Sequence, residues 1–328
     1  MRRREFIAGI GTAAFLGPRV ARGQQVAQRN LGILMGSFDD GDPVAQKELK
    51  ALREALTELG WRDRSNLNVV ARWGGGNIDR IQTIADDMVI SGLDVIVTRA
   101  TPATAEVAKR TKTIPGVFVQ VSDPVGAGFV KKFAQPGTNV TGFSNFEASI
   151  VGKWVALLFE LLPRLNVVTM IYHPSTTFEG SEFYGPPFKA AAAALGLNAN
   201  IIAVESTDQI EAAISSAHGG ALVFAPGSFL AGRREFIIAA TARHRVPAMY
   251  AFNYWPQQGA LMSYGVDSPD LFRRAASYLD KIFRGEKPSN LPVQTPNRFE
   301  FVINLKTAKS IGITIPHTLL ARTDEVIE

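Results

Sequence analysis

The sequence predicts an α/β protein of two lobes, each a parallel sheet with helices on both faces, joined by a three-strand hinge. Three observations predict it. Short apolar strands alternate with amphipathic helices from Leu31 to Ser144, the pattern of a parallel sheet covered on both sides. The alternation restarts at Asn166 and runs to Tyr250. The remainder after Tyr264 is too short for a domain and must complete the two earlier units. Each series is Rossmann-like in architecture, without a sequence-level repeat. The chain then crosses between lobes near Phe143, Tyr264 and Pro292. The first lobe is expected to hold residues 24–145 plus 265–292, and the second 146–264 plus 293–328.

In the first series, Leu31 to Met35 is a strand and Asp42-Pro43 opens a helix, with a capping carboxylate and a first-turn proline. Leu49, Leu52, Leu56 and Leu59 keep helical spacing and Gly60 ends it. Val69 to Ala71 is a short strand. Gly74-Gly75-Gly76-Asn77 is a turn and no phosphate loop, because no Gly-Lys-Ser/Thr follows. A helix then places Ile81, Ile84, Ala85, Met88 and Val89 on one face. Leu93 to Val97 is a buried strand. A polar turn leads to a helix opening at Pro102, with Thr101 as its N-cap. Val117 to Val121 is the next strand, ending in Ser122-Asp123-Pro124, and a short helix follows Gly128.

In the second series, a helix from Ser149 to Leu162 stops at Pro163. Asn166–Tyr172, Ala199–Val204, Ala221–Ala225 and Pro247–Tyr250 read as strands. Helices start at Pro186, at Asp208 and after Ser228. Ala260 to Tyr264 is a strand, Ser268-Pro269 opens a long helix to Phe283, and Phe299 to Asn304 is the last strand, before a short helix from Leu305 to Ser310 and a turn at Thr314–Thr318.

The 328 residues are 46% hydrophobic and 20% charged, with a net charge of +5. The five arginines and one acid of residues 1–23 account for most of that excess, and without them the net charge is +1. The body of the chain therefore lacks the basic excess that nucleic acid requires. No cysteine is present. Disulfides, thiolate metal sites, cysteine nucleophiles and a lipidated cysteine are excluded. The four histidines show no metal-ligand spacing.

The leader has a basic start, a short apolar run and small residues at Ala21 and Gly23, which together read as a secretory signal peptide. Arg3-Arg4 before Glu5-Phe6-Ile7 resembles a twin-arginine signal; an ordinary basic start for the general secretory route is the other reading. Cleavage is expected after Gly23, leaving an exported chain in the periplasm. No later segment has the length or purity of a membrane span, so no stable membrane insertion is expected.

Gly-x-Ser-x-Gly, His-Glu-x-x-His and Walker patterns are absent, as is Gly-x-Gly-x-x-Gly after a strand. Asp86-Asp87 lies in a helix whose apolar face is already filled and reads as a solvated face. Asp39 either caps a helix or touches a ligand. What the chain offers instead is a set of loops at strand carboxyl ends, which a parallel sheet gathers at one edge. The residues expected to line a cleft there are Ser37, Phe38, Asp39, Thr98, Ala100, Thr101, Ser122, Asp123 and Ser144 from the first series. Tyr172, Pro226, Ser228, Tyr250 and Phe252 are their counterparts in the second. Phe38, Phe224, Phe252 and Tyr254 are candidates for apolar walls, with core packing as the competing role for Phe224 and Phe252. The helix start at Thr101-Pro102 suits an anionic group, and two lobes facing each other suit capture by hinge closure. No cofactor is expected, and the chain should act as a monomer.

Several motifs carry a family resemblance. They are Leu93–Val97 with Thr101-Pro102-Ala103; Ser122-Asp123-Pro124-Val125-Gly126-Ala127-Gly128; Pro136 to Ser144; Leu261 to Gly265; Leu271 to Ala276; and Phe299 to Lys309. Together they resemble substrate-binding proteins of bacterial ABC importers, in the branch that includes receptors for tryptophan and other aromatic amino acids. The resemblance implies a type I periplasmic binding protein with three crossovers, a small-molecule ligand, an external permease and ATPase, and no catalysis. It implies a ligand carboxylate at Ala100 and Thr101, with Ser122 and Asp123 nearby. Arg99 departs from the small residue usual there, and either favours a second anionic group or points away. Thr176 to Tyr184 is long, acidic and aromatic, and is either a cover over the cleft or a surface loop. A ligand-sensing subunit for a membrane receptor kinase is the second reading.

Overall fold

A computed structural model describes residues 28–328. The expected signal peptide, its twin-arginine pair and its cleavage point lie outside the described residues. The chain builds two sheets in succession. In the first, β1 (Arg29–Met35), β2 (Leu67–Trp73), β3 (Val95–Arg99), β4 (Gly116–Val121) and β5 (Val140–Ser144) run parallel in the order β2-β1-β3-β4-β5. Helices α1 (Pro43–Glu58), α2 (Ile78–Ile90) and α3 (Thr101–Arg110) connect them. The alternation of apolar residues sorts the two faces. Ile33, Met35, Val95, Val97, Val117 and Val119 point one way. Leu34 and Ile96 point the other, onto Ile81, Ala85 and Met88 of α2 and Ala103 and Val107 of α3.

After α4 (Ile150–Leu161), the second unit contains β6 (Val167–Tyr172), α5 (Gly185–Ala194), β7 (Asn198–Ala203), α6 (Thr207–Ser216) and β8 (Ala221–Phe224). It continues through α7 (Ser228–Gly232), α8 (Arg234–Arg243), β9 (Ala248–Phe252), α9 (Tyr254–Gln257) and β10 (Met262–Val266). Next come α10 (Ser268–Phe283), β11 (Glu300–Asn304), α11 (Leu305–Ser310), α12 (His317–Leu320) and β12 (Glu325–Ile327). The second sheet has seven strands in the order β12-β11-β10-β9-β8-β6-β7, parallel except where β10 meets β11.

Three expectations are corrected. No helix follows Gly128: that glycine takes φ 72°, and Phe129 N and Val130 N turn back to Pro124 O. β11 runs antiparallel to its neighbour β10. β12 completes the sheet's edge, and α9 and α12 are further elements, all three too short to show a periodic pattern.

The chain leaves the second sheet after β10 and lays α10 along α1, against β4 and β5 of the first. Asp267 caps α10 and Pro269 sits in its first turn. Trp61 fixes the helix's far end, with Nε1 donating to Asp280 Oδ1 at 2.9 Å and its ring 4.7 Å from Phe283. On its way back the chain passes β5 closely: Ser144 N donates to Gln294 O and Gln294 N to Gly142 O, both at 2.9 Å. Trp154 of α4 is fully buried and donates to Tyr264 O at 2.7 Å. These bonds hold the three crossings side by side.

At the β10 crossing the strand register shifts between Ser263 and Val266. A Cβ on Gly265 would sit 1.6 Å from Ala251 O. Gly152, inside α4, has only Ala191 Cβ at 4.0 Å. Gly265→Ala should therefore destabilise the fold by about 1–3 kcal/mol, and Gly152→Ala should stabilise it by about 0.5–1 kcal/mol. Urea unfolding curves of both variants check the two signs.

Candidate functional site

The carboxyl ends of the two sheets face each other, and the residues at those ends form a closed cleft. β3 delivers Arg99 and then Ala100, which takes φ 71° and ψ 159°, a backbone region nearly confined to glycine that costs a residue with Cβ about 1–3 kcal/mol. Its backbone is held on both sides. Ala100 N donates to Val119 O at 2.9 Å, and Ala100 O accepts from Thr104 N and Thr104 Oγ1. Ala100, and not Thr101, is thus the cap residue of α3. Thr101 is its first helical residue, and its hydroxyl accepts from Ser122 N at 3.3 Å. Among the described residues no side chain caps α3, whose start at Ala100, Thr101 and Pro102 lines the cleft, so the Thr101 and Ala103 N–H groups have no side-chain acceptor.

Arg99 turns inward and does not point away. Nε and Nη2 donate to Glu48 Oε2 and Oε1 at 2.8 and 3.1 Å, and Nη1 donates to Ser37 Oγ at 2.7 Å. Arg99 is 2% exposed and Glu48 of α1 is fully buried. Gln120 Nε2 adds a bond to Glu48 Oε1 at 3.1 Å. Gln120 occupies a break in the β4–β5 register and takes φ 61°, a bulge that re-aims its side chain. Burial raises the Glu48 carboxyl above its ordinary pKa against the pull of Arg99. Burial opposes the charge on Arg99, but the Glu48 carboxylate and Tyr254 together hold the guanidinium above its usual value. Because Ser37 Oγ accepts from Arg99, its own proton is free to donate, and it does so to Ser228 Oγ at 2.9 Å. That bond joins the two lobes.

A second bond crosses nearby. Ser122 Oγ donates to Asn145 Oδ1 at 3.1 Å, so the 3.0 Å contact with Tyr184 is the phenol donating to Ser122. Burial pushes the Tyr184 phenol upward, which keeps it protonated. Arg234 pairs with Asp42 across the interface at 2.7 Å. Gly76 comes so near that a Cβ there would lie 2.5 Å from Ser228 O.

The segment from Thr176 to Tyr184 covers the cleft. Thr176 and Phe178 line it, and Thr176 Oγ1 accepts from Phe229 N at 3.2 Å. His173 organises the turn before it, with Nδ1 accepting from Ser175 N and Thr176 N. Burial holds the His173 ring below the usual histidine range.

The structure brings together eight of the expected residues: Ser37, Ala100, Thr101, Ser122, Pro226, Ser228, Phe252 and Tyr254 all line the cleft. The others lie elsewhere. Phe38 is buried beneath Arg99, whose guanidinium carbon is 4.2 Å from the ring centroid. Asp39 is exposed and pairs with Arg80 at 2.7 Å, and Asp42 does the helix capping. Thr98 bonds Thr104 in the first core at 2.7 Å. Tyr172 ends its strand packed against the second core. Tyr250 lies deeper in β9, stacked on Phe224 and Trp255 at 5.1 and 4.5 Å; Phe224 shares that core role. Asp123 and Ser144 line a larger neighbouring cavity of about 660 Å³ at the hinge. There Asp123 Oδ1 accepts from Gly126 N to close its turn, and Ser144 bonds Gln294.

Glu48 and Gln120 were not expected. The usable signal was Glu48's position: it falls on the helical stripe of Ala45, Leu49 and Leu52, where a lone acid implies a buried partner. Among the described residues no group of three histidines or acids is placed to hold a metal ion, and no helix is long and apolar enough to cross a membrane.

Comparison with known proteins agrees with this architecture. The model of the ABC transporter substrate binding protein family matches residues 41–327. A tyrosine-binding protein of Clostridioides difficile (strain R20291) is 26% identical over 288 residues, covering 87% of this chain and 81% of the relative. The crystal structure of an ABC domain from Streptococcus pneumoniae in complex with L-Trp is 27% identical. It superposes with a TM-score of 0.83, covering 92% of this chain and 100% of that one. A conserved domain protein from Vibrio cholerae O1 biovar eltor is 28% identical, with a TM-score of 0.82 over 91% of this chain and 99% of that one. The two parallel-sheet lobes are those of a type I periplasmic binding protein. The matched family is that of a transporter component and not of a kinase-bound sensor. From α1 to the last strand, the chain belongs to the ABC transporter substrate-binding proteins, which capture ligands for import.

Proposed function

We propose that the protein is a periplasmic receptor for an amino-acid-like or aromatic carboxylate, which it encloses by hinge closure and hands to the permease and ATPase of an importer. It acts as a monomer and carries out no reaction. The observation that carries this reading is the uncapped start of α3, which faces a cleft lined from both sheets. A helix start with free N–H groups favours a carboxylate. The relatives described as tyrosine-binding and as bound to L-Trp have ligands with that group. The ligand contacts are Ser37, Ala100, Thr101, Ser122, Pro226, Ser228 and Phe252. Asp123 and Ser144 border the hinge side. The moving units are residues 24–145 plus 265–292 and residues 146–264 plus 293–328.

The mature chain should show a melting temperature raised by at least one amino acid or aromatic acid in a thermal-shift screen. A ligand at 100 times its Kd stabilises by about 2.7 kcal/mol. A screen in which no amino acid shifts the transition refutes the amino-acid reading.

Closure should depend on the bond between Ser122 and Tyr184. Tyr184→Phe removes the donor and leaves the ring. It should weaken binding of whichever ligand the screen finds by about 5- to 10-fold, through a faster off-rate. Stopped-flow dissociation checks this, and an unchanged off-rate would show that the bond plays no part in retention.

Export is proposed to use the twin-arginine route. Replacing Arg3 and Arg4 together by Lys should retain the precursor in the cytoplasm, as fractionation would show. Normal export of that variant would assign the leader to the general secretory route.

A further inference from the structure

We infer that Glu48 and Arg99 form a charge-cancelled floor that selects, among carboxylate ligands, those whose far end is a neutral oxygen group, and turns away those with a second carboxylate. The inference deepens the receptor reading above and rests on it. An arginine in a cleft ordinarily takes a carboxylate through its paired N–H fork. Here that fork is already occupied: Nε and Nη2 hold the two oxygens of Glu48, and Nη1 gives one hydrogen to Ser37. What remains is a single N–H on each Nη, with the positive charge balanced directly behind by Glu48. Gln120 completes the set of bonds to that carboxylate. Neither charge is reached by water, so the balance is local and unscreened. Arg99 is also the one charged side chain among the described residues that line the cleft. A second carboxylate brought there would lose its water, meet no spare cation and face the charge of Glu48. A phenol, hydroxyl or amide oxygen bears no such cost.

Tyr254 supplies the independent observation. Its side chain is 4% exposed and lines the same cleft, with its hydroxyl beside the Arg99 guanidinium yet without a well-formed hydrogen bond to any described residue. Burial pushes its pKa up to about 12, so it remains a neutral donor. A buried hydroxyl left unpaired is costly. A neutral ligand oxygen can accept from this hydroxyl and from the spare guanidinium N–H groups together. Phe38 fixes the floor's geometry, with Tyr254 edge-on at 6.0 Å and the guanidinium over its face. The ligand's own carboxylate then lies toward Thr101 and Ser122.

Calorimetric titration of the mature chain with L-glutamine and L-glutamate, L-asparagine and L-aspartate, and L-tyrosine and 4-carboxy-L-phenylalanine tests this. Within each pair only the far end changes, from a neutral oxygen group to a carboxylate. The neutral member of at least one pair should bind at least about 10-fold more tightly than its acid partner. Glu48→Gln keeps the shape and frees the charge of Arg99, so it should bring that ratio to about unity or invert it. Tyr254→Phe should weaken only the neutral member. An acid partner that binds the unmodified chain as tightly overturns the inference, as does an unchanged ratio in Glu48→Gln. The ratio in the unmodified chain needs no variant, so it decides the matter even where Glu48→Gln fails to fold. If none of these probes binds while another amino acid raises the melting temperature, the inference falls and the receptor reading stands. If no amino acid shifts the transition, both fall.

Discussion

A buried carboxylate is tolerated only when its charge is matched, and Glu48 is matched by a partner on a different element. The requirement ties four pieces of the first lobe together. Glu48 comes from α1, Arg99 from the end of β3, Gln120 from a bulge in β4 and Ser37 from the turn after β1. Removing one member would strand the other, at a cost of about 3–5 kcal/mol. The pair therefore fixes the edge of the first sheet, and through Ser37 it sets the direction of the hydrogen bond that reaches Ser228. Structural order on one side of the cleft and contact with the other side share one group of atoms.

The union of the lobes is of a different kind. The main buried apolar cluster runs from one sheet to the other, with Phe38 against Tyr254, and polar contacts are laid over it at the cleft: Ser37 to Ser228, Tyr184 to Ser122 and Arg234 to Asp42. Individual hydrogen bonds of this sort contribute about 0.5–1.5 kcal/mol net. A few such bonds bias a hinge without locking it, which is what a receptor that must also release its ligand requires. Glycines at the seam, such as Gly76 against Ser228 O, allow the backbones to meet.

Much of this was legible in the chain, for identifiable reasons. Apolar runs with an intervening helical period are long-range signals, and they located the strands of both sheets to within a few residues. The loops after them carried Ser37, Ala100, Thr101, Ser122, Pro226, Ser228 and Phe252 to the cleft, because a parallel sheet leaves its loops nowhere else to go. Depth was not legible. Tyr250 and Phe252 are two residues apart on one strand, but only the later one reaches the edge, and no periodicity distinguishes them. Phe38 and Arg99 were separated by a vertical order, ring below and guanidinium above, that depends on Glu48. Thr101 has every property of a cap, yet Ala100 takes that place because Val119 O and Thr104 fix its backbone. Short edge pieces such as β12 lack the length to show a pattern.

The return of α10 to the first lobe bears on how the chain comes to be folded at all. Helix α1 is made early and presents Leu49, Leu52 and Leu56 to a partner that is synthesised only after most of the chain. Until Ser268–Phe283 emerges, the part of the first sheet's face over β4 and β5 lacks the helix that covers it. The first lobe thus completes only after most of the second has been made, although its strands come first. During synthesis the exposed face of α1 is a natural target for chaperones, and the docking of α10 is a contact of very long sequence separation that slows the final step.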